Sequence, residues 1–155
     1  MSIGGAFYAL DRYRLRALVI DPATVPGFIR GQGFGSGGSG GHDGPSDSQT
    51  VEQAWDVVRT LLPEAVEGEE LDGTGALGCI YLTAAHVERT AARLAQRDVQ
   101  ALMGQFTGEP AKFAELYWAK VWQDGAKELA AFLEGVKRFF AGAAARRDAV
   151  VFYLA

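Results

Sequence analysis

Cysteine is almost missing from this chain: Cys79 is the single one in 155 residues, so no internal disulfide can form and a stapled, secreted scaffold is not expected. No amino-terminal stretch joins a basic start to a long apolar run, and the expected location is the cytoplasm. The longest apolar runs, such as 17–20 and 149–155, fall far short of the roughly 20 residues that a membrane helix requires, so no membrane association is expected. An excess of basic charge is absent too. Fifteen Lys and Arg face nineteen Asp and Glu, a net charge of -4, which argues against a general nucleic-acid binder. There is no Gly-Lys-Ser or Gly-Lys-Thr of a phosphate-binding loop.

What is present suits one globular domain. Hydrophobic residues make up 48% and charged residues 22%, a balance that can bury a single core at this length. Residues 3–10 are apolar, small and aromatic without helical period, and predict a strand. Asp11 then caps a short helix carrying Leu15, Leu18 and Val19, which Asp21-Pro22 should stop. More than half of residues 31–44 are glycine, with Pro45-Ser46-Asp47-Ser48 behind them; the composition predicts a flexible Gly/Ser-rich loop over about 31–49.

Beyond it, Val51, Ala54, Trp55, Val58, Leu61 and Leu62 repeat at helical spacing up to Pro63. Cys79 to Leu82 predicts a second strand. Thr83 and Asp98 cap two further helices, residues 111–123 predict an aromatic-rich one, and 129–140 the clearest of all. Ala149 to Leu154 is β-branched and aromatic on both faces, as in a central strand. The expected class is α+β, a small three-stranded sheet packed with about six helices in a single domain.

In that order, several stretches resemble the YfbM-like family, a group of small bacterial proteins carried as a domain of unknown function. Val51-Glu52-Gln53-Ala54-Trp55-Asp56 before an apolar helix, Tyr81-Leu82-Thr83 leading into another, Gln105-Phe106 ending a third, Leu116-Tyr117, and the helix and strand of 129–154 carry the likeness, over most of 1–20 and 50–155. Two features depart from it: Trp118 stands where the family usually has proline, and the glycine tract replaces a more ordinary segment. The resemblance implies a single α+β domain and supplies no activity or catalytic residues.

Candidate sites are few. Gly33 to Gly38 satisfies a G-x-G-x-x-G spacing, but without a strand before it and a helix after it the pattern is compositional. His42 and Asp43 are metal-ligand types, too few for a site unless His86 joins them, and no metal or other cofactor is expected. Cys79, in a buried strand, reads as a small core residue. Glu52 and Asp56, four apart on the expected helix beside Trp55, could hold each other's ionisation apart for acid/base work; the simpler reading is that they complement the helix dipole and pair with Arg59.

Tyr117, Trp118 and Trp122 pack more aromatic area into one segment than a single helix face can bury, so one ring should reach solvent. The expectation is a non-catalytic protein-binding module, of an immunity or inhibitor kind, using Trp55, Tyr117, Trp118 and Trp122 with the acids nearby. The alternatives are a small hydrolase using Asp56 or Glu52 with His86, and a self-associating structural protein. Convergence of the acids and His86 in one pocket would favour the hydrolase; an exposed aromatic patch with the acids solvated or paired to arginine would favour binding.

Overall fold

The structure, a computed structural model, describes residues 2–31 and 44–155. Among them the sheet has five strands, all antiparallel, where three were expected. In chain order the strands are β1 (Gly5–Leu10), β2 (Asp47–Glu52), β3 (Glu69–Glu70), β4 (Gly78–Leu82) and β5 (Ala149–Leu154). The order across the sheet is β2-β1-β5-β4-β3, which puts β5 at the centre as its apolar sequence demands. The two additional strands are both edges. β2 falls within residues expected to be loop and helix, and β3 is two glutamates, so neither shows the apolar alternation by which a half-buried strand is recognised.

Helices cover both faces. They are α1 (Arg12–Ile20), α2 (Val25–Ile29), α3 (Trp55–Leu61), α4 (Ala84–Ala95), α5 (Val99–Gly108), α6 (Ala119–Asp124) and α7 (Ala126–Ala145). Side chains alternate along each strand, so Phe7, Ala9, Val150, Phe152 and Leu82 point to one face, under Leu129, Leu133, Val136 and Phe140 of α7 with Val57 and Val87 of α3 and α4. Leu10, Cys79, Ala149 and Val151 point to the other, under Leu15 and Leu18 of α1 and Val25 and Phe28 of α2. The register aligns Phe7 and Ile80 on either side of Phe152, so the larger core is centred on β5.

Two helices differ from expectation, and both differences shape the site. The helix expected from Val51 starts only at Trp55. Val51 and Glu52 instead end β2: Glu52 pairs with Gly5 of β1, Val51 is the extra residue at a bulge between that pair and Ala6–Thr50, and Glu52 closes the strand with φ at +47°. Glu52 and Asp56 therefore belong to different elements and do not share a helical face. The segment 111–123 is not one helix either. A short 3₁₀ turn spans Pro110–Phe113, and α6 begins only after Trp118, whose φ is +56°.

Candidate functional site

The break before α6 has a visible cause. The backbone N–H of Tyr117 donates to Asp56 Oδ2 at 3.0 Å, so it is bound to a carboxylate on α3 and not to a helical carbonyl. Asp56 is 8% exposed, and its other oxygen takes the guanidinium of Arg59 one turn later. Sixty-one residues of sequence separate the two ends of this bond, which is why no local pattern announces it.

Around that anchor the amino terminus, α3 and the residues before α6 are tied together. Trp55 Nε1 donates to the carbonyl of Ile3 at 3.0 Å, and the N–H of Ile3 donates to the hydroxyl of Tyr117 at 2.9 Å. The rings of Trp55 and Tyr117 lie 5.4 Å apart, and those of Tyr117 and Trp118 are stacked at 5.8 Å. The Arg59 guanidinium stands 5.2 Å from the Trp55 ring, a cation–π distance. Trp55 reaches this position because Gly5 lies beneath it; a Cβ there would come within 2.8 Å of the Trp55 Cβ.

The four aromatic residues singled out in the sequence thus have different fates. Trp55 and Tyr117 are half-buried and hydrogen-bonded. Trp118 is 42% exposed, with Val121 of α6 48% exposed three residues on. Trp122 turns inward, 8% exposed, edge-on to Phe132 at 5.7 Å, and its buried indole N–H has no hydrogen-bond partner among the described residues. The outward ring is therefore Trp118, held in a left-handed backbone conformation that costs a non-glycine residue about 1–3 kcal/mol.

The acid and histidine candidates are dispersed. Glu52 is exposed, and His86 sits in the first turn of α4, its backbone N–H on Thr83 Oγ1 at 3.4 Å. No hydrogen bond or ion pair among the described residues joins His86 to Glu52 or Asp56. Near His86 the Glu67 carboxyl is held below its ordinary range, chiefly by a hydrogen bond from Arg93. Among the described residues no group of three or more His, Cys, Asp or Glu is placed to hold a metal ion. His42, Asp43 and the Gly33–Gly38 pattern lie outside the described residues. Burial pushes the Cys79 thiol up to about 11, far from the thiolate that a nucleophile needs.

One feature escaped the sequence reading. Beside Arg59 opens a cleft of about 410 Å³, floored by Ile80, Phe152 and Leu154, walled by Val66, and rimmed by the residues from Glu70 to Gly78. Its origin is in the register: Gly78 pairs with Leu154, so β4 offers no side chain beside Leu154 at the end of the sheet. Gly78 preceding a short apolar run was the available signal, but only the pairing of β4 with β5 turns that glycine into a hollow.

An antiparallel sheet with helices on both faces and a pinned aromatic corner defines an α+β protein. Over residues 1–153 the chain matches the family described as a domain of unknown function, DUF1877, and it belongs to that family. A solved structure similar to it is that of YfbM from Escherichia coli, a protein of unknown function, at 12% identity and a TM-score of 0.69, covering 98% of this chain and 99% of that one. The YfbM-like resemblance read from the sequence is thereby borne out, and at that identity the likeness concerns the fold. No curated protein matches the chain.

Proposed function

We propose that this chain acts by binding another protein, and that the contact is made by the exposed ring of Trp118 with Tyr117, Trp55 and Val121 around it. The observation that carries this reading is a large aromatic side chain kept at the surface at the expense of backbone strain, on a base of hydrogen-bonded rings that hold its position. Rigid aromatic residues give contact area with little loss of side-chain freedom, which is why they anchor interfaces. Asp56, engaged by Arg59 and by the Tyr117 amide, has a structural part here and supports the aromatic corner, while Glu52 adds a free negative charge at the strand end. An immunity or inhibitor protein is one form such a binding module takes.

The test uses the full chain and its Trp118→Ala variant as paired baits. A protein retained by the first and released by the second is identified, purified and titrated against both. The expected result is an affinity lowered by about thirtyfold, the loss of about 2 kcal/mol typical of an interface anchor. Equal affinity of the two for every retained protein would refute the reading.

A further inference from the structure

The cleft beside Arg59 has chemistry of its own. Its floor is apolar, from Ile80, Phe152 and Leu154, and Leu77, 71% exposed, adds an apolar lip. Its charge is uneven. Arg59 is the cation of the lining, but that charge is matched: the guanidinium is paired with Asp56 and lies against the Trp55 ring. Across the floor stand Glu70 and Asp72. Glu70 is paired in register with Ile80, so its side chain rises on the same face of the sheet as the floor. Neither the Glu70 nor the Asp72 carboxylate has a hydrogen bond or ion pair with any described residue, and both side chains are exposed. A hollow with an apolar floor and two unpaired carboxylates on its polar rim favours a guest that is apolar along its length and positive at one end.

We propose that this cleft is a binding site for an organic cation with an apolar body, an alkyl- or arylalkyl-ammonium, whose chain lies over Ile80 and Leu154 and whose ammonium meets Glu70 and Asp72. Such a group comes either from a free amine or from a lysine side chain of a peptide. The site does not depend on the protein-binding reading, since none of its contacts involves Trp118.

The isotope-labelled full chain is titrated with hexylamine, with hexanoate and with the blocked tripeptide acetyl-Leu-Lys-Leu-amide, following the backbone amides of Gly78, Ile80 and Leu154. Hexylamine is expected to bind more tightly than hexanoate by about tenfold or more, the effect of a change of charge at a matched position. Glu70→Gln combined with Asp72→Asn removes that preference. Gly78→Val, which fills the hollow from a strand position where the nearest atom is the flexible end of Leu154, abolishes binding and leaves the unfolding midpoint in place. Shifts with the tripeptide and not with hexylamine uphold the chemistry and assign the cation to a protein side chain. Equal binding of hexanoate, or no shift with any of the three, overturns the proposal.

Discussion

Trp118 combines two properties that a side chain chosen for stability would not have together, a backbone in the left-handed region and a large apolar surface in water. Glycine takes that conformation without the clash of a Cβ. Trp118→Gly should therefore raise the free energy of unfolding by about 1 kcal/mol, moving the midpoint of a protein of this size upward by roughly 2–4 °C, while destroying the aromatic corner's outward ring. Calorimetry checks it; a lowered midpoint would mean that the stacked contact with Tyr117 is worth more than the strain. At this scale the sequence was informative about kind and blind to direction. It showed that Tyr117, Trp118 and Trp122 could not all be buried by one helix face, yet not that Trp122 would be the one to turn inward. That choice was made by a carboxylate on α3 taking the amide of Tyr117 and ending the helical run.

Helix ends were read well wherever the partner was local. Asp11 caps α1 as expected, its carboxylate accepting the amides of Tyr13 and Arg14 at 2.9 Å each, with the Arg14 guanidinium beside it. Partial burial pushes its pKa up, but these donors outweigh that and hold it below the ordinary aspartate value. A carboxyl whose folded pKa is depressed stabilises the fold above its unfolded pKa, near 3.9 for a free aspartate, and this contribution is lost as the pH falls through the folded value. Asp11→Ala should cost about 1 kcal/mol at neutral pH. Its deficit relative to the parent chain should shrink once the pH drops below about 4, which urea titrations at a series of pH values will show. Thr83 and Asp98 cap α4 and α5 in the same way and were equally legible.

Elements held from afar were not legible. β3 exists because Glu69 and Glu70 pair with Tyr81 and Ile80, and the 3₁₀ turn at 63–66 is fastened through Glu64, 1% exposed, to Arg97 beyond the end of α4 by two bonds of 3.1 and 2.8 Å. A glutamate in an acidic stretch reads as solvated, and only its distant arginines, Arg97 and, at 3.7 Å, Arg93, permit it to be buried.

Across the whole molecule the sheet carries two separate apolar clusters, one on each face, and β5 contributes to both through alternate residues. Cys79 lies on the α1–α2 side, under that thinner layer. Its thiol, buried and raised to about 11, should react with a thiol reagent at pH 8 only when this face opens. The expected result is a native labelling rate lower than that of the urea-unfolded chain by about a hundredfold or more, rising as urea is added. A native rate close to the unfolded one would show that the α1–α2 layer does not shield the strand.

The class of fold, the three apolar strands, the capped helices and the family are written in neighbouring residues, because apolar runs, helical periodicity and capping are short-range properties. The two edge strands, the break before α6, the outward turn of Trp118 and the cleft over Leu154 arise from contacts made across the fold. Each depends on partners far apart in the chain, Asp56 with Tyr117 or Leu154 with Gly78, and the energy of such a pair belongs to neither local stretch.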